Sequence, residues 1–343
     1  MWQLIGQPRA LELLKHSLEN ERLAHAYLFV GQQHVGKTTL AINLAQAANC
    51  EQAEQPCGKC RSCRRIADGI FADIQLVKRQ PDVSSTDANL KKEIGISQIR
   101  EVQQVACLKP YEGKRKVFII EGAEHLNEES ANCLLKILEE PPPHVLFILL
   151  TANENRLLPT IISRCQKIEL FPLPAPVIEQ ALIERWGTMP DKARVLSRLC
   201  SGGIGWAVSA SVDDNLLQQY ISSRAEVISI ASTDLAQRFS FATRLATQFS
   251  KNRDSVEKML KLWIGWWRDL LLSKKGCNEF ITNVDEEAML HRQAKDYTLT
   301  DIRSFIESIY VALKQLEQNA NPRLVLEVLM LRLPTLAQEV QVH

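Results

Sequence analysis

Eight consecutive residues, Gly31-Gln32-Gln33-His34-Val35-Gly36-Lys37-Thr38, combine the groups needed to hold a polyphosphate. Glycines let backbone N–H groups curl around phosphate oxygens with no Cβ in the way. Lys37 brings a positive charge to the β- and γ-phosphates, and Thr38 offers a hydroxyl to Mg2+. The apolar run Tyr27-Leu28-Phe29-Val30 precedes the loop, and a helical pattern beginning Thr39-Leu40-Ala41-Ile42 follows it. Bound phosphates would therefore meet a helix N-terminus, whose dipole favours anions. Strand before and helix after are the context this G-x-x-x-x-G-K-[ST] spacing requires. The plain alternative is a glycine turn that keeps the shape without a ligand.

Hydrolysis would demand more. An acidic residue at the end of a hydrophobic strand must hold Mg2+, and a carboxylate beside it must orient water. The candidate strand end is Val117-Phe118-Ile119-Ile120-Glu121-Gly122-Ala123-Glu124. Glu121 can serve the metal, but Gly122 has no side chain to offer water. Glu124 is expected in the cap of the next helix, which should begin near Asn127 with Glu128 and Glu129 in its first turn. The residues thus fit ATP and Mg2+ bound without turnover, with the chain's own ATPase weak or absent.

A second constellation is cysteine-rich. Cys50, Cys57, Cys60 and Cys63 fall within fourteen positions, with Cys57-Gly58-Lys59-Cys60-Arg61-Ser62-Cys63 forming two interlocking C-x-x-C pairs. Four thiolates satisfy a closed tetrahedral Zn2+ site, and a closed site is structural because no position is left for water. An Fe–S cluster also takes four cysteines, but the flanks lack a ferredoxin pattern. Plain reduced thiols are the remaining alternative. The other five cysteines, Cys107, Cys133, Cys165, Cys200 and Cys277, are scattered.

These residues need a scaffold, and 343 residues suffice for two or three domains. Formal net charge is +1, so no strong overall field draws the chain to nucleic acid or anionic membrane. No stretch of about 20 apolar residues occurs and the start does not read as a signal peptide, so the expected compartment is the cytoplasm, without membrane association. Short apolar runs at 27–30, 74–77, 117–120, 145–150 and 168–170 read as strands, several apolar on both faces as in a buried parallel sheet. Helical patterns lie between them, including 94–104. The polar run Lys78 to Lys92 reads as an exposed loop. Phe171-Pro172-Leu173-Pro174-Ala175-Pro176 marks a boundary, since three prolines in five residues end a central strand or helix. Beyond it only helical patterns appear. Trp263, Trp266 and Trp267 share helical spacing with Leu260 and Leu270, which makes a packing face rather than a base-stacking platform. The expected architecture is α/β then all-α: a phosphate-loop sheet domain over 1–170 with the cysteine module at 50–63, a small helical domain over 171–210, and a larger helical domain over 211–343.

The order of motifs adds a resemblance. After the phosphate loop and cysteine insert comes Ser130-Ala131-Asn132-Cys133-Leu134-Leu135-Lys136-Ile137-Leu138-Glu139-Glu140-Pro141-Pro142, then Ser163-Arg164-Cys165. With Ile5-Gly6-Gln7 and His25-Ala26-Tyr27-Leu28-Phe29 at the start, this resembles the clamp-loader branch of the AAA+ ATPases, the γ/τ and δ′ types of bacterial DNA polymerase III subunit. The resemblance implies an AAA+ sheet domain, a helical lid and a helical collar. It implies that Arg164 is a trans-acting arginine finger aimed at a neighbour's ATP, the alternative being a salt-bridged surface arginine. Thr151-Ala152-Asn153 falls where the family has a phosphate-sensing polar residue. Catalytic γ/τ-type subunits carry Asp-Glu where this chain has Glu121-Gly122, and an arginine where Gly205 sits. Those departures resemble the δ′ type, a stator rather than a motor, although the intact Lys37-Thr38 differs from δ′ proteins with decayed loops. Implied partners are γ/τ and δ subunits, with the sliding clamp and primed DNA reached through the complex. A competent short γ-type ATPase and a nucleotide-regulated scaffold outside replication are the rival readings.

Overall fold

The computed structural model describes residues 2–79 and 93–334. The polar run expected as a loop lies outside the described residues, apart from Lys78 and Arg79. By contacts the chain divides into two compact units. Among the described residues, one holds 2–79, 93–181 and 202–206, and the other holds 182–201 and 207–334.

The first unit is a five-stranded parallel sheet. Its strands are β1 (Ala26–Val30), β2 (Ile74–Val77), β3 (Lys116–Glu121), β4 (Val145–Thr151) and β5 (Gln166–Glu169), in spatial order β2-β3-β4-β1-β5. All four pairings are parallel, as the doubly apolar runs implied. Helices α1 (Pro8–Glu19), α2 (Lys37–Ala48), α3 (Arg61–Ala67), α4 (Ile96–Ala106), α5 (Glu128–Glu139) and the short α6 (Pro159–Ile162) fill the connections.

Alternation along the strands sorts the side chains into two cores. Tyr27, Phe29, Val117 and Ile119 join Leu14 of α1 and Leu40 and Leu44 of α2 on one face. Leu28, Phe118, Ile120 and Phe147 join Ile99 of α4 and Leu134 of α5 on the other. β4 is buried at every residue, being central and covered on both sides. Such a sheet must place its functional groups on the loops beyond the carboxyl ends of its strands.

Helix α7 (Ala175–Trp186) begins within the proline segment, with Pro176 in its first turn; α8 (Pro190–Leu199), α9 (Ile204–Val212), α10 (Asp214–Ser229), α11 (Leu235–Lys251), α12 (Arg253–Lys274), α13 (Glu287–Asp296), α14 (Leu299–Glu317) and α15 (Pro322–Arg332) follow. The core of the second unit gathers around α12, where Trp263, Trp266 and Trp267 are buried, as their spacing predicted. Trp263 meets Phe305 edge-on with ring centroids 5.3 Å apart, a favoured aromatic geometry. One buried charge is paired across the unit: the Arg224 guanidinium reaches both Asp285 oxygens, at 2.9 and 2.5 Å. No described helix is long and apolar enough to cross a membrane.

Candidate phosphate site and cysteine centre

The phosphate loop begins where β1 ends. The Gly31 N–H donates to the Thr151 carbonyl at 3.1 Å, continuing the β1–β4 ladder one residue into the loop. A Cβ on Gly31 would lie 2.5 Å from the Leu170 carbonyl oxygen, so only glycine fits there. Gly36 has φ +108°, a left-handed conformation that side chains resist, and caps the start of α2. Leu4 packs on it: a Cβ at Gly36 would come within 2.8 Å of the Leu4 Cδ1. Both glycines are thus required by close approach and backbone geometry.

Lys37, first in α2, turns its ammonium back to donate to the Gly31 carbonyl at 2.5 Å and the Gln32 carbonyl at 2.8 Å. Burial pulls this ammonium down to about 8, against the opposing charges of Glu124 and Glu121. A lysine whose hydrogen bonds among the described residues go to backbone carbonyls, with carboxylates nearby, can move onto a phosphate at little cost. Thr38 Oγ1 lies 3.5 Å from Glu121 Oε1, so hydroxyl and strand-end carboxylate face each other. That is an oxygen pair of the kind Mg2+ takes beside phosphate, and the residues fit an Mg2+–nucleotide. Sequence positions 31, 36, 37, 38 and 121 therefore converge on one place.

Three neighbours complete the surroundings, of which Lys78 was not foreseen. The Lys78 ammonium sits 3.1 Å from Glu121 Oε2. The Gly205 N–H donates to the His34 carbonyl at 2.8 Å, and a Cβ there would stand 3.1 Å from that oxygen. The third is Glu124, expected in the cap of the following helix. Asn127 does that work, its side chain accepting from the Ser130 N–H at 2.8 Å. Gly122 adopts φ +73°, and the tight turn Ala123–His125 swings Glu124 back across the sheet end. Its Oε1 accepts from the Ala152 N–H at 3.2 Å. A glycine directly after a strand was the signal available in sequence, since left-handed turns reverse the chain.

Asn153 accepts from the Asn155 N–H at 3.1 Å and so caps its own short turn. Arg164 stands apart from the loop. Its guanidinium donates to the Thr160 carbonyl at 3.0 Å and pairs with Glu139 at 2.7 Å, joining the Ser-Arg-Cys and Leu-Glu-Glu-Pro-Pro segments. Both partners are substantially exposed, and such pairs contribute about 0–1 kcal/mol, so the arginine is readily released.

The four cysteines converge as well: the Sγ atoms of Cys50, Cys57, Cys60 and Cys63 all lie within 4.8 Å of one another. Cys57 and Cys63 sulfurs are 3.9 Å apart, close to the separation that four Zn–S bonds of about 2.3 Å impose on a tetrahedron. Cys57 Sγ accepts from the N–H groups of Cys60 at 3.2 Å and Lys59 at 3.4 Å. Those donors, Cys60 first, hold the half-buried Cys57 thiol down at about 6, while burial pushes Cys63 up. Cys60 also caps α3 through the Cys63 N–H at 3.4 Å. The donor set fits a closed tetrathiolate metal site.

The model of the family "DNA polymerase III, delta subunit" matches residues 6–174, and that of "DNA polymerase III, delta subunit, C terminal" matches 218–335. The chain is 34% identical to DNA polymerase III subunit delta' of Bacillus subtilis over 95% of this chain and 96% of that protein. It is 25% identical to DNA polymerase III subunit tau of the same organism, over 96% of this chain and 60% of that longer protein. Among solved structures, a DNA polymerase III γ-subunit-related protein from Thermotoga maritima aligns over 94% of this chain and 97% of its own, with 17% identity and a TM-score of 0.42. With the δ′ relative matched end to end, the chain belongs to the δ′ subunit family of bacterial DNA polymerase III.

Proposed function

We propose that this chain is a stator subunit of the replicative clamp loader: it grips a nucleotide without driving the cycle and lends Arg164 to a neighbouring ATPase subunit. The observation that carries this reading is Gly122. Its φ of +73° disfavours any side chain, and a Cβ there would meet His125 Cδ2 at 3.1 Å. The backbone beside Glu121 is therefore shaped against the carboxylate that would normally orient water. Loop amides and Lys37 would hold the phosphates, while Thr38 and Glu121 would hold Mg2+, whose role is to neutralise phosphate charge.

In this reading γ/τ subunits supply the ATP that is spent, δ completes the ring, and the sliding clamp and primed DNA are reached through the assembly. Arg164 exchanges Glu139 for the γ-phosphate of the adjacent subunit, where a guanidinium stabilises developing charge. A Zn2+ ion on Cys50, Cys57, Cys60 and Cys63 would fasten the cysteine module. The sheet domain, lid and collar divide near residues 170 and 210, and the assembly works in the cytoplasm.

The decisive test is reconstitution with γ/τ and δ subunits. Arg164→Ala should lower DNA-stimulated ATP hydrolysis by up to about 10³-fold at the site it serves, while subunit binding persists. Unchanged hydrolysis by the Arg164→Ala complex would show that the finger reading is wrong.

A further inference from the structure

We infer that Glu124 biases the phosphate site toward a nucleoside diphosphate and against the triphosphate. The inference rests on the loop being a nucleotide site. Glu124 is nine-tenths buried, with its side chain only 9% exposed. One oxygen is pinned to the Ala152 N–H at 3.2 Å, while Oε2 is buried and has no hydrogen-bond partner among the described residues. Ala152 directly follows Thr151, whose carbonyl receives the Gly31 N–H. The carboxylate is therefore fixed alongside the first residue of the loop.

The charged and titratable groups around it are Lys37, Glu121 and His125, whose Nε2 lies 4.0 Å from Glu124 Oε1. Of the two carboxylates acting on Lys37, Glu124 exerts the larger influence. The two differ in how they are balanced. Glu121 faces Thr38 and pairs with Lys78, and Mg2+ can take that lysine's place. Glu124 receives one amide proton, and the groups near it that can carry positive charge among the described residues are Lys37, which bound phosphates would themselves engage, and the His125 ring. A diphosphate needs only the loop amides, Lys37 and Mg2+. A third phosphoryl group brings more negative charge toward the strand ends, where the Glu124 carboxylate opposes it once Lys37 is engaged by phosphate. Burial keeps water from screening that opposition.

Titration calorimetry of the full chain with ADP and with ATP, both with Mg2+, tests the inference. Wild-type protein should bind ADP more tightly than ATP. Glu124→Gln keeps an oxygen for the Ala152 N–H and removes the charge, so the fold is retained. It should tighten ATP by about tenfold, equivalent to about 1.4 kcal/mol, and shift ADP by no more than about twofold. That split between two ligands is a readout a merely structural role would not produce. Equal shifts for both nucleotides, or none for either, overturn the assignment of Glu124 and leave the nucleotide reading standing. Absence of any binding that Lys37→Ala abolishes overturns the nucleotide reading, and this inference with it.

Discussion

The cysteine centre and the phosphate site lie at opposite ends of α2, and they solve different problems. The centre draws four identical ligands from one short stretch, Cys50 to Cys63, and closes them on one another. The phosphate site draws Gly31, Lys37, Glu121, Glu124 and the Thr151 carbonyl from three strand ends, and leaves donors and acceptors only loosely satisfied. Lys37 rests on carbonyls, and Glu124 keeps one oxygen unpaired. A closed set of ligands stabilises a fold, whereas an open set holds charge ready for something that comes and goes.

If that contrast is right, damage to the closed site should cost stability and damage to the open one should cost binding. The largest effect is expected from Cys63→Ser. Zinc content should fall from one per chain to none, and unfolding free energy should drop by on the order of 5 kcal/mol. Elemental analysis and urea unfolding measure both; full stability in the metal-free variant would erase the distinction.

A smaller effect is expected at Lys37, where the sign follows from its lowered pKa of about 8. A phosphate needs the ammonium charged, so nucleotide affinity should be level below that pH. Above it, affinity should fall by about tenfold per unit until the bound-state pKa is reached. Lys37→Met should bind weakly and lose this pH dependence without losing stability, as binding and melting curves at several pH values would reveal.

The smallest effect is expected from Lys78→Ala. Its pair with Glu121 is more than half exposed at the lysine, and exposed pairs contribute about 0–1 kcal/mol. Thermal stability should barely move, while the Mg2+ concentration needed for nucleotide binding should fall by about two- to threefold, because Lys78 no longer competes for Glu121. A higher Mg2+ requirement would mean that Lys78 supports the cation site rather than competing with it.

Legibility in sequence follows the same division. The cysteine centre could be read because its ligands are neighbours along the chain. The strands could be read because burial on both faces leaves runs such as Val145 to Leu150 with almost no polar interruption. The Trp263, Trp266 and Trp267 face could be read because 3.6-residue periodicity survives in a helix packed on one side. Glu124 could not, because its role depends on a left-handed turn at Gly122 that redirects the side chain, and linear distance from Glu121 says nothing of that. Lys78 escaped for a related reason: it reaches Glu121 from the end of β2, distant in sequence.

By itself, then, the amino-acid sequence determined which residues are candidates to bind phosphate and metal, that a parallel sheet carries them, and that position 122 brings no carboxylate. Those properties reside in side-chain type, short-range spacing and periodicity. Only the tertiary structure decided that Glu124 is pinned to the Ala152 amide, that Lys78 pairs with Glu121, and that Arg164 pairs with Glu139. Charges act through space, and the distances between them exist only once the strands have paired and the turns have closed.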